Sequence, residues 1–467
     1  MDRIQQLYHP DQFQKLGAHL ISFLSDYLRQ VSTGKIKTNP YASPEKALQS
    51  WEDFMASDAG IEEYFEKIVK ESIHVHSPLY LGHQVSTPAP IAAFGGLVSD
   101  LLNNGMAVYE MGGSSNPLEK MATEMICKAI GYTKESAGFM TSGGTLANLT
   151  ALLTARSIKS GDDVWEKGSY ELKLGVMVSE QAHYCIDRAV RIMGLGAEGI
   201  IKLPVDDAYR VNIDMLGLKL KEARQKGIKV FAIVASSCST ATGSYDDIEA
   251  MADFAEQHDL WLHVDGAHGG AVVFSDQYRH LVNGIERADS VIIDCHKMMM
   301  TPTLCTAVLY KNQDHTLATF RQKADYLFDV SEQYDWWNSG KRTFECTKLM
   351  MSIKLMAIVR FVGQEVFGEV VDRLYNMAKE FASMIQKDPD LTLALAPQAN
   401  IVCYRYNGSN ELNRSIRQRI LEEGKFYIVQ TVIDDTVYLR SAVMNPIVEL
   451  HHFKALIEEI KGLASEL

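Results

Sequence analysis

The sequence predicts an α/β protein whose main body is a mostly parallel sheet with helices on both faces. Two observations carry this. Short apolar runs recur between residues 86 and 345, and helix-length segments separate them. Strands alternating with helices build βαβ units, whose strands are covered on both faces and so read as continuous apolar runs. A helical segment precedes this region over 1–85, and a small α+β domain follows over 346–467.

The elements follow in chain order. Within 11–31, Phe13, Leu16, Leu20, Phe23, Leu24, Tyr27 and Leu28 fall at helical spacing, giving a helix with one apolar stripe. Pro40 and Pro44 separate it from a second helix over Pro44–Met55. An arm of this kind must cover something, either a partner subunit or the chain's own body. The expected strands of the main region are GVMVSE (175–180), GIIKL (199–203), VFAIVAS (230–236), LWLHVD (260–265) and SVIIDC (290–295). Helices are expected over Asn148–Lys159, Cys185–Leu195, Asp214–Lys226 and Asp246–His258. A long helical stretch, Thr347–Lys387, leads to two more strands, NIVCYRY (400–406) and TVYLRSAV (436–443), with a helix near Glu411–Glu423 between them and another over Val448–Leu463.

Composition narrows the function classes. With 46% hydrophobic and 22% charged residues, the chain is of ordinary globular type. A formal charge of −13 without any Lys/Arg cluster argues against nucleic acid, which needs concentrated basic surface. The seven cysteines are odd in number and form no CxxC pair, so neither a disulfide framework nor a zinc cluster is expected. No apolar signal core opens the sequence, and no run reaches the ~18 apolar residues of a membrane span. These features lead us to expect a cytoplasmic protein with a small-molecule ligand and no metal.

In open parallel sheets, ligands bind beyond the carboxyl ends of the strands, so the residues just after each apolar run are the candidates. Gly143, Gly144 and Thr145 precede a helical run, where free N–H groups and the helix dipole suit a phosphate. Taken alone, a Gly-Gly pair there is an ordinary turn. His183 follows GVMVSE, and Thr240 closes the hydroxyl-rich end of VFAIVAS. Asp265 ends LWLHVD, with Gly266 and Ala267 next, and His296-Lys297 follow Asp294 and Cys295. Each has a plain structural reading: a core histidine, a turn, a helix cap. A lysine at the end of a buried strand, however, is costly unless paired, solvated or covalently used. The set as a whole matches the needs of one cofactor, pyridoxal 5′-phosphate. Its pyridine nitrogen needs an anion, its aldehyde an amine and its phosphate a glycine-rich helix start.

The segments TSGGTLANLTALLTAR, HVDGAHGG and DCHKMMMTPTLCTAVLY resemble the group II pyridoxal-phosphate-dependent amino acid decarboxylase family. That family includes the aromatic amino acid, glutamate, cysteine sulfinate and diaminobutyrate decarboxylases, and the likeness spans most of the chain. It implies the fold type I, aminotransferase-like architecture with a mainly parallel sheet of the seven-stranded type. It also implies a homodimer with its active site between subunits. By the same resemblance, Lys297 would carry the cofactor and Asp265 would pair with the pyridine nitrogen. His183 would stack on the ring, with Ala267 also lying against it, and Thr240 would sit near the ring oxygen. Gly143, Gly144 and Thr145 would hold the phosphate, with His296 beside it. Asp294 stands where the family often has Asn, and a second anion there would repel a phosphate. Tyr334, in the segment YLFDVSEQYDWWNSG (326–340), matches the family's proton-donating loop tyrosine.

The substrate side is sparser. HSPLYLGHQVSTPAP (76–90) carries His83 and Gln84 in place of a row of aromatic residues, and Arg440 matches a carboxylate-binding position in some members. The expectation is decarboxylation of a polar or acidic amino acid: glutamate, aspartate, cysteine sulfinate or 2,4-diaminobutyrate. The alternatives are an aldehyde-forming oxidase, a carbon–carbon lyase on the same cofactor, an aromatic amino acid decarboxylase and a non-catalytic cofactor-binding protein.

Overall fold

A computed structural model describes residues 2–161, 164–320 and 335–467. The chain forms two compact units. One comprises residues 84–376 with 397–400, and the other comprises 1–83, 377–396 and 401–467. The division falls inside the helix Val366–Lys387.

The larger unit is built on seven strands: β1 (Ala137–Thr141), β2 (Leu174–Ser179), β3 (Ile200–Leu203), β4 (Lys229–Ser236), β5 (Trp261–Asp265), β6 (Ser290–Asp294) and β7 (Thr306–Tyr310). Their order is β1-β7-β6-β5-β4-β2-β3. The pairs β3–β2, β2–β4, β4–β5 and β5–β6 are parallel, while β7 runs antiparallel to both β6 and β1. All five residues of β5, β6 and β7 are buried, as expected of strands covered on two faces. Helix Gly144–Lys159 packs against β4, β5, β6 and β7. Its Ala147, Leu149, Leu152 and Ala155 join Phe139, Val178, Phe231 and Trp261 in the core.

The predicted strands and helices lie where the apolar runs place them, with ends shifted by one to a few residues. Two differences have physical causes. The predicted helical stretch 347–387 is two helices, Ser352–Val362 and Val366–Lys387, because Gly363 takes φ +90° and ends the first. The strand β7 was not among those expected, and an apolar run does not encode strand direction, so its reversal was not visible in the sequence either.

The smaller unit holds the four-stranded antiparallel sheet β10-β11-β9-β8, formed by β8 (Leu391–Leu393), β9 (Ile401–Tyr406), β10 (Val429–Ile433) and β11 (Thr436–Ala442). Phe381 and Phe453 stack at 4.4 Å in its core. The N-terminal helices Pro10–Val31 and Pro44–Met55 belong to this unit, and each starts with proline at its first position, where no N–H is needed. Among the described residues, no helix is long and apolar enough to cross a membrane.

Candidate active site

The site is set by register at one edge of the large sheet. Thr141 of β1, Thr306 of β7 and Asp294 of β6 are direct partners across three adjacent strands. On the far side of β6, Asp265 ends β5 and pairs with Ser236 of β4. The chain leaving β1 turns through Ser142 and Gly143, whose φ of +103° is open to glycine and strained for other residues. Gly144 then opens helix Gly144–Lys159, presenting the unpaired N–H groups of a helix start. A side chain on Gly144 would meet an Asp294 carboxylate oxygen at 3.1 Å, so the turn passes directly against that acid.

Lys297 lies on the turn after β6. Its ammonium donates to Asp294 Oδ2 at 2.9 Å, and the Thr306 hydroxyl donates to Asp294 Oδ1 at 2.6 Å. Burial works against the Lys297 charge, but the carboxylates of Asp294 and Asp265 outweigh it and raise its pKa. Burial likewise disfavours charge on Asp294, yet Lys297, His296 and the Thr306 hydroxyl hold its pKa below the usual carboxylate value. The two shifts agree: this is an ionised pair. Asp294→Asn should therefore lower the Lys297 pKa and bring its neutral, nucleophilic amine out at lower pH. Labelling the ligand-free protein with an acylating reagent across pH, followed by peptide mapping of Lys297, reads that inflection. An inflection unmoved by the substitution would remove Asp294 as the controlling charge.

Asp265 is buried and accepts two donors, the Ala267 N–H at 3.2 Å and the Asn148 side-chain amide at 3.1 Å. Burial raises its pKa, while Lys297 and the Ala267 N–H pull the other way. His183 caps helix Tyr184–Ile192, its Nδ1 accepting the Cys185 N–H at 3.3 Å. Burial lowers its pKa, so the ring is neutral at pH 7 and its one proton sits on Nε2.

One cavity of about 310 Å³ gathers these groups. Gly143, Gly144, Thr145, His183, Thr240, Asp265, Ala267, Asp294, His296 and Lys297 all line it. His83, Gln84 and Arg440 are not among its lining residues. His83 and Arg440 belong to the smaller unit. There the His83 ring lies 5.9 Å from that of Tyr427, and Arg440 is buried on β11 opposite Cys403. Gln84 begins the larger unit, its amide nitrogen buried with no hydrogen-bond partner among the described residues. Tyr334 lies outside the described residues.

Sequence reasoning missed several lining residues, including Asn148, Cys185 and His268. Asn148 had a usable signal. A polar side chain one turn into a buried, apolar helix needs a partner, and the helix start already faced the strand ends.

The donor set fits pyridoxal 5′-phosphate. A helix start with free N–H groups, an amine and a carboxylate held by two donors share one ring-sized cavity. Residues 41–407 match the family described as the pyridoxal-dependent decarboxylase conserved domain. The aromatic-L-amino-acid decarboxylase of Bacillus atrophaeus is 27% identical over 413 residues, covering 86% of this chain and 84% of that protein. The aspartate 1-decarboxylase of Aliivibrio fischeri is 27% identical over 456 residues, covering 86% and 82%. The crystal structure of mouse CSAD superposes with a TM-score of 0.91 at 22% identity, over 98% of this chain and all of that one, a likeness of fold.

Proposed function

Because the chain belongs to the pyridoxal-dependent decarboxylase family, making it a carboxy-lyase that acts on an amino acid with pyridoxal 5′-phosphate, we propose that its chemistry takes place in the Lys297 cavity. The observation that carries this is the single cavity bringing Lys297, Asp265, His183 and the Gly143–Thr145 turn together. Lys297 would hold the cofactor covalently, Asp265 would face its ring nitrogen, and Gly143, Gly144 and Thr145 would take the phosphate with His296 beside them. His183 and Ala267 would contact the ring, and Thr240 would lie near its oxygen. The bound cofactor supplies an electron sink for the pair left behind when the α-carboxylate departs.

The chain's own residues do the rest. The buried Asp265 carboxylate, fixed by the Ala267 and Asn148 donors, offers a preorganised negative charge at the cavity wall. His183 Nε2–H is a neutral donor at the cavity wall, suited to orienting a carboxylate. Asp294 holds the Lys297 ammonium until the amine is needed. The proton that replaces the carboxylate at Cα is assigned to the Tyr334 phenol on the strength of the family motif.

The substrate proposed is a polar or acidic L-amino acid. Relatives named for an aromatic and for an acidic substrate are equally similar to this chain. The choice therefore rests on the sequence, where His83 and Gln84 stand in place of a row of aromatic residues and Arg440 matches a carboxylate-binding position of some family members. A panel of amino acids assayed for CO₂, amine, aldehyde and peroxide tests the reading. Turnover confined to aromatic substrates would overturn the substrate class, and aldehyde with peroxide as the main products would overturn simple decarboxylation.

A homodimer is also proposed. Helix Pro90–Leu102 leaves Phe94, Leu97, Val98, Leu101 and Leu102 exposed, more apolar surface on one helix than a lone chain usually shows to water. A monomer in equilibrium sedimentation would contradict it.

A further inference from the structure

Behind Asp265 runs a line of buried polar side chains of which the chemistry above uses only the last, Asn148. Trp261, His263 and Ser290 are fully buried and Asn148 nearly so. His263 of β5 and Ser290 of β6 are partners in the sheet. The proton positions along the line follow from elimination. An indole N–H can only donate, so the Ser290 hydroxyl oxygen accepts it at 2.8 Å. Asn148 must turn its amide nitrogen toward Asp265 Oδ2, because its oxygen there would face a carboxylate. Its oxygen then faces His263 Nε2 at 2.7 Å, and that nitrogen must be the donor. Burial pushes His263 down to about 4, so the ring is neutral and carries no second proton. Nδ1 is left to accept the Ser290 hydroxyl proton at 2.9 Å. One donor from each of Trp261, Ser290, His263 and Asn148 therefore points the same way, and the series ends on the carboxylate that lines the cavity, while the Asn148 amide nitrogen also donates to Cys185 Sγ at 3.3 Å.

We propose that Asn148, His263 and Ser290 are positioning residues that keep Asp265 charged and in one orientation toward the cofactor's ring nitrogen. The inference rests on the role given to Asp265 above. A network serving only to satisfy core polar groups would have no need to finish at the cavity. Hydrogen bonds in such a chain polarise one another, so losing a distant link weakens the last one. Hydrogen bonds to an anion favour it over the protonated form. The other groups facing Asp265 are Lys297 and Asp294 from the end of β6, and His183 and Cys185 from the start of helix Tyr184–Ile192. With these unchanged, loss of the Asn148 donor moves protonation of Asp265 to higher pH.

The test uses full-length protein reconstituted with pyridoxal 5′-phosphate, following cofactor affinity and the cofactor's visible band across pH. Asn148→Leu should weaken affinity about tenfold, the scale of one lost hydrogen bond to a charged group. His263→Leu should weaken it by about threefold, the loss passing through the chain. Both should move the low-pH limb upward. His263→Gln, whose amide can still donate to Asn148, should recover most of the loss. If His263→Leu does not fold, Ser290→Ala carries the same expectation at about twofold. Leucine variants with wild-type circular dichroism and an unmoved affinity and pH limb would overturn the proposal, as would a glutamine variant no better than leucine. Asp265→Asn separates the two readings. No effect there overturns the role of Asp265 and this inference with it, whereas an effect there with silent Asn148 and His263 overturns this inference alone.

Discussion

Lys297→Ala is expected to lower turnover by at least about a thousandfold, the scale of losing a group that acts directly on the reacting atoms. Lys297 is the lysine lining the cavity among the described residues, so nothing there replaces its amine. Borohydride reduction followed by intact-mass measurement supplies a second reading. The wild-type chain should gain the mass of the reduced cofactor on the Lys297 peptide, and the variant should gain none. The protein should still fold, because Asp294 keeps the Thr306 hydroxyl donor and faces the open cavity. A folded Lys297→Ala protein that turns over at the wild-type rate would end the assignment.

Lys348→Met should be the most damaging change to stability away from the cavity. Lys348 Nζ donates to Glu119 Oε1 at 2.7 Å and to the Met140 carbonyl at 2.6 Å, and the two side chains are 2% and 3% exposed. Deleting the lysine strands a buried carboxylate, which costs about 3–5 kcal/mol. Replacing both partners, as Glu119→Leu with Lys348→Met, removes the uncompensated charge and should restore much of that loss. Denaturant titration of both single variants, the double variant and the wild type reads the coupling. A Lys348→Met protein within about 0.5 kcal/mol of wild type, the range of an ordinary surface change, would show the pair to be dispensable. The pair also bears on the site. It grips β1 at Met140, next to Thr141 and Ser142, whose hydroxyls both donate to Glu345 Oε1 at 2.8 Å. The glycine turn that follows is thus anchored from below.

Much of the candidate site was legible in the sequence because strand ends and candidate chemistry coincide. Asp265, Asp294 and Lys297 each close or follow an apolar run, and all ten residues expected around the cofactor line one cavity. What could not be read depends on contacts distant in sequence. Glu119 and Lys348 meet across most of the large unit's length, and neither position looks unusual in its local stretch. Asn148 sat inside a quoted motif, yet its partners His263 and Asp265 are set by packing of a helix on a sheet. The doubt raised over Asp294 has a structural counterpart: its charge is balanced by Lys297, and Thr306 donates to its second oxygen. His83 and Gln84 are neighbours in the chain that fall in different compact units, and neither is among the residues lining the cavity, so their part on the substrate side rests on the sequence alone.

The reversed seventh strand has a consequence for the lysine itself. Because β7 runs back from the edge where β6 ends, the segment 295–305 leaves and re-enters the sheet at one place, its two ends clamped by the Asp294–Thr306 pairing. A same-direction strand would have required a long crossover to the opposite edge, leaving the reactive amine on a tether fixed at one end. Here the loop is short and doubly moored, so little chain entropy remains to be lost when Lys297 is fixed in place.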